Sequence, residues 1–246
     1  MRCFARAALA ILLANLAAAP ALAQIAAEPP PSAAEQARTL RDLVARYRDW
    51  RGGYALESLQ TIHERFTQES PAGRQSGALW VDRDGRTRRE LSVDGGRQVE
   101  VASPDGAWRS APGAAPADDP AAFERDRRLA LLMFGDALVG RGGASAARAG
   151  TADLEDQTWT VVRISFGDAD VYDALLDPRT GGLCCYQITE AGVKRTELLG
   201  DWRLVDGVRM PFVELIQSAA DPHGVRVSTI ELNTPLDPAL FAKPAG

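Results

Sequence analysis

Two periodicities divide the chain. Over residues 35–51 the apolar positions Ala37, Leu40, Leu43, Val44 and Tyr47 recur at three- and four-residue steps, which predicts one amphipathic helix. Ser32 stands where a helix cap belongs, and Gly52-Gly53 ends the pattern. From Tyr54 onward the period shortens to two, and turn signals recur. Asp84-Gly85, Asp94-Gly95-Gly96, Asp105-Gly106, Gly167-Asp168, Thr180-Gly181-Gly182, Ala191-Gly192, Asp206-Gly207 and His223-Gly224 all tolerate the positive φ of tight hairpins. The runs between them read as strands: 55–67, 75–82, 86–93, 97–102, 157–166, 169–176, 183–190, 193–205, 208–217 and 225–233. In 157–166, Thr160, Val162, Ile164 and Phe166 share one face while Trp159 and Val161 share the other, so both faces are covered.

One insert interrupts this meander. Residues 111–119 are a Pro/Ala loop, and Pro120 then opens a second helix, capped by Asp118 or Asp119 and running to about residue 139. Phe123, Ala130, Leu131, Phe134 and Leu138 form its apolar stripe, widened by Leu132 and Met133. Residues 140–150 read as a Gly/Ala loop. Successive short antiparallel hairpins with no internal repeat and no linker predict one mainly β domain, a sheet that curls into a barrel or half-barrel.

The start of the chain has a different texture. Arg2 and Arg6 precede an uncharged apolar run from Ala7 to Ala19, and Ala21-Leu22-Ala23 supplies small residues at the positions a signal peptidase reads. This is the pattern of a secretory signal, residues 1–23, cut before Gln24. The run is too short to span a bilayer and Pro20 interrupts it. Residues 24–34, rich in Pro and Ala, read as a disordered or extended leader. Without the signal the chain loses two of its 28 basic residues and none of its 33 acids, which takes the net charge from −5 to −7. An acidic balance of this kind excludes a global attraction to nucleic acid.

Catalytic chemistry is hard to assemble. His63 and His223 are far apart with no zinc-ligand spacing, no G-x-S-x-G elbow occurs, and Gly140, Gly142 and Gly143 lack the Lys-Ser/Thr of a phosphate loop. Asp82-Arg83-Asp84-Gly85 lacks the later Glu of a calcium loop and reads as a hairpin turn. No metal or cofactor is implied. Cys184 and Cys185 are adjacent in a strand, which points them to opposite faces as two small apolar fillers; a strained vicinal disulfide is the other reading.

Three stretches, in order, carry a resemblance. Leu176-Asp177-Pro178-Arg179-Thr180-Gly181 is a strand-turn signature. Gly200-Asp201-Trp202-Arg203-Leu204-Val205-Asp206-Gly207-Val208-Arg209-Met210-Pro211 is a strand pair, and Ile230-Glu231-Leu232-Asn233-Thr234-Pro235-Leu236-Asp237-Pro238-Ala239-Leu240-Phe241 with Lys243-Pro244 is a terminal segment. Together, over 170–244, these resemble the outer-membrane lipoprotein-sorting protein family, the LolA-like fold. The resemblance implies an incomplete antiparallel β-barrel of about eleven strands for residues 35–246, with the N-terminal and mid-chain helices plugging its concave face. It implies a non-enzymatic periplasmic carrier for a lipid or an acylated lipoprotein, in contact with inner- or outer-membrane envelope proteins. On that reading Trp80, Trp108, Leu131, Phe134 and Trp159 are the expected cavity lining. The other reading is an interaction or sensor module that binds a protein partner by a sheet edge or open face.

Overall fold

The computed structural model describes residues 25–26, 32–167, 170–190 and 192–244. The secretory signal read from the first 23 residues lies outside the described residues, as does most of the leader.

Helix α1, Ala33–Arg51, forms where the stripe predicts. The Ser32 hydroxyl accepts from the Glu35 amide at 3.3 Å, and Arg48 and Arg51 sit in the last turn, where the helix dipole favours cations. The later part of its stripe is deeply buried, with Leu43 and Tyr47 2 % and 0 % exposed, while Leu40 is half-buried and Ala37 is exposed. Each such side chain contributes about 1.5–3 kcal/mol of burial. A short α2, Tyr54–Ser58, follows.

The strands are β1 (Ile25–Ala26), β2 (Thr61–Ser70), β3 (Gly73–Asp82), β4 (Thr87–Val93), β5 (Gly96–Ser103), β6 (Gly106–Ser110) and β7 (Ala117–Asp118). Helix α3, Pro120–Met133, interrupts them, and a 3-10 turn at Ala137–Val139 leads onward. Then come β8 (Ser145–Leu154), β9 (Gln157–Ser165), β10 (Val171–Leu176), β11 (Leu183–Glu190), β12 (Val193–Gly200), β13 (Arg203–Val205), β14 (Val208–Met210), β15 (Val213–Ser218) and β16 (His223–Leu232). Among the described residues, fourteen strands make one antiparallel sheet in the order β1-β8-β9-β10-β11-β12-β15-β16-β2-β3-β4-β5-β6-β7. The sheet stays open, because β1 and β7 are its two edges and do not pair with each other. The strands β13 and β14 stand apart as a separate hairpin.

Register assigns the faces. Ile62, Glu64, Phe66 and Gln68 of β2 point to the concave face together with Val81, Thr87 and Ala102 on one side of β2 and Leu232, Ile230 and Val227 on the other. Farther round the sheet Tyr186, Ala174, Val162, Tyr172 and Ile164 share that face. All three helices pack there, against two apolar clusters. One joins α1 to β9–β12, and the other joins α2 and α3 to β2–β4 and β16.

The half-barrel expected from the resemblance is present, with finer differences in its elements. The run 55–67 is not one strand: Leu56 and Leu59, both buried and three apart, belong to a helical turn before β2 begins. The run 193–205 breaks at Gly200-Asp201, where Asp201 has φ 51°. The run 208–217 breaks at Pro211, which has no amide to donate to a ladder. The mid-chain helix stops at Met133 because Gly135 takes φ 72°. The Gly/Ala segment read as a loop at 140–150 contains the start of β8, and its alanines are the small side chains that let Ala144 and Ala146 pack into the cluster beneath α1. In the leader, Ile25–Ala26 pairs with Thr151 and Ala152.

Candidate ligand-binding site

Helix α3 is the element that spans the concave face. Ala122 and Phe123 pack on Ala102 and Ala107 near one edge of the sheet. Ala130 and Phe134 join the cluster of Ile62, Phe66, Val81 and Leu91, and Leu131 and Leu132 reach the other cluster with Val162, Tyr172 and Tyr186. One helix therefore covers both apolar halves of the half-barrel.

Polar contacts fasten the middle and the C-terminal end of this helix. At its middle, Thr87 of β4 donates to Asp126 at 3.0 Å, and Arg128 donates to Asp170 at 2.5 Å with its guanidinium 5.3 Å from the Phe166 ring. At its end, Arg51 of α1 donates to the Met133 carbonyl at 3.0 Å. Just beyond, Asp136 takes two bonds of 2.8 Å from Arg83 in the β3–β4 turn and a third, also 2.8 Å, from Arg141. Arg83 further donates to the Glu57 and Leu59 carbonyls and stands 5.6 Å from the Phe134 ring. Burial alone would raise the Asp136 carboxyl, but the hydrogen bonds and charges of Arg83 and Arg141 outweigh it and hold it below the usual carboxylate range. The crevice beside Phe134, lined by Leu56, Arg83 and Asp136 among others, has a volume of about 10 Å³. That is room for about one water. A larger guest at this place requires the segment after α3, from Phe134 to Arg141, to move away from α1 and α2.

A second feature shares the concave face. Glu64 of β2, Glu214 of β15 and Glu197 of β12 project from three strands that lie within four successive places in the sheet. Glu64 is 4 % exposed. Burial raises the Glu64 carboxyl to about 7 against the opposing charge of Arg51. Burial raises Glu214 well above the ordinary value, helped by Glu197 and Glu64 and opposed by Arg89. Glu197 is raised by burial, with Arg195 opposing and Glu190 adding. Glu197 and Glu214 are half-buried. Sequence reasoning missed these three. Its available signal was parity: Glu64 alternates in step with Ile62 and Phe66, and Glu214 with Phe212 and Ile216, which puts a carboxylate at the buried phase of an apolar strand.

The five residues expected to line a cavity do not converge. Leu131 and Phe134 lie on the concave side, 9 % and 1 % exposed. Trp80, Trp108 and Trp159 have the opposite parity and lie on the outer face. Trp80 stacks on His63, with ring centroids 4.8 Å apart. Trp108 packs with Val99 and Val101 beneath Phe241 of the C-terminal 3-10 turn, Pro238–Phe241. Trp159 packs beside Val161, Leu175 and the two cysteines. Those cysteines also depart from the alternating expectation. Leu175 pairs with Cys185 and Leu176 with Leu183, so a bulge at Cys184 brings both thiols, buried and free, into one outer cluster. Among the described residues no group of three or more His, Cys, Asp or Glu could hold a metal ion, and no helix is long and apolar enough to cross a membrane.

No protein-family model and no curated protein matches the sequence. Solved structures do match. A LolA superfamily protein from Nitrosomonas europaea aligns with TM-score 0.57 at 10 % identity, over 83 % of this chain and 97 % of that one. A DUF1329 family protein from Desulfovibrio piger aligns with TM-score 0.58 at 10 % identity, over 84 % and 97 % of the two chains. At such low identity the likeness speaks to architecture alone, an open, mainly β half-barrel with helices. The chain has the LolA-like fold.

Proposed function

We propose that the protein is a non-enzymatic periplasmic binding or carrier protein for a lipid or lipoprotein acyl chain, held in the concave interior of the half-barrel with α3 as its lid. The observation that carries this reading is the position of α3. Its apolar residues cover both concave clusters while polar contacts tie down its middle and the turn that follows its C-terminal end. Lifting the helix exposes Leu131, Leu132 and Phe134 together with the sheet residues beneath them, which is unfavourable in water. An acyl chain laid in the same place covers that surface again, so guest and open state stabilise each other. In this reading Leu131 and Phe134 touch the guest. The secretory pattern of the first 23 residues and the fold likeness support the periplasmic assignment.

The test is titration of the purified protein with a dansylated fatty acid, followed by native mass spectrometry. The reading expects saturable uptake at one site and a retained adduct that leaves on denaturation. Absence of both, with acyl chains of several lengths, overturns it.

One observation favours a second reading, a docking module for a protein partner. Tyr54 and Leu204 are 83 % and 65 % exposed. The hairpin that carries Leu204 abuts α2, which carries Tyr54, where Gly207 meets Ala55. Chemical cross-linking in envelope extracts, lost in a Tyr54→Ser, Leu204→Ser double variant, would support that reading.

A further inference from the structure

Arg51, the last residue of α1, is a buried cation without an anion. It is 3 % exposed, and no other arginine or lysine among the described residues is buried. No carboxylate of a described residue lies within 4 Å of it, whereas Arg83, Arg128, Arg163 and Arg195 all have one. Its Nη1 donates to the Tyr47 hydroxyl at 2.9 Å, and its Nη2 to the Met133 carbonyl at 3.0 Å and the Met210 sulfur at 3.6 Å. The guanidinium also stands 5.8 Å from the Tyr47 ring and 5.6 Å from the Trp202 ring. Its Nε–H is buried and meets no acceptor. A phenol, a carbonyl, a thioether and two ring faces solvate the charge but do not balance it, and a buried charge left in that state is costly. Glu64 acts on Arg51 from beyond ion-pair distance, and its carboxyl, raised by burial to about 7, is only partly ionised at neutral pH.

The weakly used donors lie on one side of the guanidinium. Nε–H and the Nη2–H beside it point in parallel, and a carboxylate takes that pair with both of its oxygens. In Arg51 this fork holds only the Met133 carbonyl and a thioether, and Nε is empty. Met133 is the last residue of α3, next to the segment that must move to admit a guest. When its carbonyl leaves with that segment, the fork is open. Arg51 also stands at the seam of the two concave clusters, because Tyr47 belongs to one and Met210 to the other. A head held at this point has apolar surface on either side for its tail.

We propose that the Arg51 fork receives the carboxylate of a free fatty acid whose tail lies along the concave face under α3. The proposal rests on the carrier reading above and names its cargo as a singly charged acyl carboxylate. An ester or amide head has no charge to balance the guanidinium. A dianionic head such as a phosphate monoester meets Glu64, Glu197 and Glu214 on the same face, where a second negative charge is repelled. The incoming oxygens replace the Met133 carbonyl on Nη2 and fill Nε, so binding of the head and release of the end of α3 are one exchange.

The experiment titrates the full chain with dodecanoate, dodecanol and dodecyl phosphate at pH 8. Dodecanoate is expected to bind at least about tenfold more tightly than dodecanol, and more tightly than dodecyl phosphate. In Arg51→Met the ratio of dodecanoate to dodecanol affinity falls to near one. In Arg51→Lys, which keeps the charge and loses the fork, it falls to an intermediate value. Equal affinities for dodecanoate and dodecanol in the wild type overturn the carboxylate site and leave the carrier reading standing, whereas binding of none of the three overturns both. Tighter binding of dodecyl phosphate overturns the choice of head, and an unchanged ratio in a folded Arg51→Met variant overturns the role of Arg51. Where that variant does not fold, carbon-13 NMR of carboxyl-labelled dodecanoate on the wild type decides. A bound head that stays ionised to lower pH than the free acid supports the proposal, because an adjoining guanidinium favours the charged form. A bound head that titrates at or above the value of the free acid overturns it.

Discussion

A covalent lock on α3 separates a lid from a structural helix. A Cβ placed on Gly85, in the β3–β4 turn, would lie 3.6 Å from the Arg127 Cβ on α3. Disulfides span Cβ separations of about 3.5–4.5 Å, so Gly85→Cys with Arg127→Cys should bridge without backbone movement. Gly85 has φ 90°, and a non-glycine residue there costs about 1–2 kcal/mol. The closed loop runs to roughly 43 residues, for which loop-closure entropy gives about 4 kcal/mol. Loss of the Arg127 contacts to Glu124 and the Gly142 carbonyl subtracts about 0.5 kcal/mol, since the pair is largely exposed. The strain and the lost contacts are common to both redox forms, so the oxidised variant should be about 4 kcal/mol more stable than the reduced one and about 2 kcal/mol more stable than the wild type, which for a chain of this size raises Tm by about 8–16 °C and about 4–8 °C respectively. The same bond should abolish uptake of a dansylated fatty acid, and dithiothreitol should restore it. Cys184 and Cys185 are buried and should not interfere. Oxidised protein that is more stable yet takes up the probe as fast and as fully as reduced protein would refute the assignment of α3 as the moving part.

Three further outcomes follow from the same contacts. Asp136→Asn leaves the Arg83 and Arg141 cations facing a neutral amide and should destabilise the fold by about 2–3 kcal/mol in urea titrations. Because the Asp136 carboxyl is held low, its contribution is present above the ordinary pKa of an aspartate and lost as pH falls through the folded value, so this variant should show a flatter stability profile in acid. Glu64 behaves in the opposite sense. Its folded pKa of about 7 lies above the unfolded one, so stability is highest below about pH 4.5 and falls as pH rises toward 7. Glu64→Gln should remove that decline and gain a few kcal/mol at pH 8, read from urea midpoints across the range. Finally, both thiols are buried, and the hydrogen bond with Cys184 together with burial raises the Cys185 pKa, so a thiol reagent kept out by the fold should leave both unmodified in native protein and label both in guanidinium.

The sequence made the topology more readable than the site. Turn glycines and alternating runs located most strands because hairpin geometry is local, and the Ser32 cap and helical stripe located α1 for the same reason. What failed was the choice of face. Trp80, Trp108 and Trp159 are large and apolar, but which side of a strand meets the helices depends on pairing register, a long-range property. Phe241, more than 100 residues away, covers Trp108 from the outer side and makes that side a core too. The β8 strand was hidden because Ala and Gly have little strand propensity of their own, and pairing with β9 imposes it. The acids at 64, 197 and 214 look like ordinary exposed carboxylates until the strands are assembled side by side.

The two long helices are not held alike, and two glycines measure the difference. A Cβ on Gly181 would lie 2.3 Å from the Tyr47 amide nitrogen and 2.5 Å from the Arg46 carbonyl carbon, so the β10–β11 turn touches the backbone of α1. A Cβ on Gly142 would lie 2.6 Å from both terminal carbons of Leu131, which is the flexible end of a side chain on α3. Both glycines have positive φ, 75° and 65°, so substitution by Ala adds similar backbone strain at each and the packing term is what differs. Backbone against backbone cannot yield by a rotamer change, and Gly181→Ala should displace α1 at about 4 kcal/mol or more. Gly142→Ala should cost about 1–2 kcal/mol, relieved by a small shift of Leu131 or of α3 itself. It should also speed fatty-acid uptake, because the closed position of the helix is the one crowded. Paired melting curves and stopped-flow uptake on the two variants read both effects. Equal losses of Tm, with uptake slowed in both, would mean that α3 is anchored as firmly as α1, and the concave face would then be a fixed core with no room for a guest.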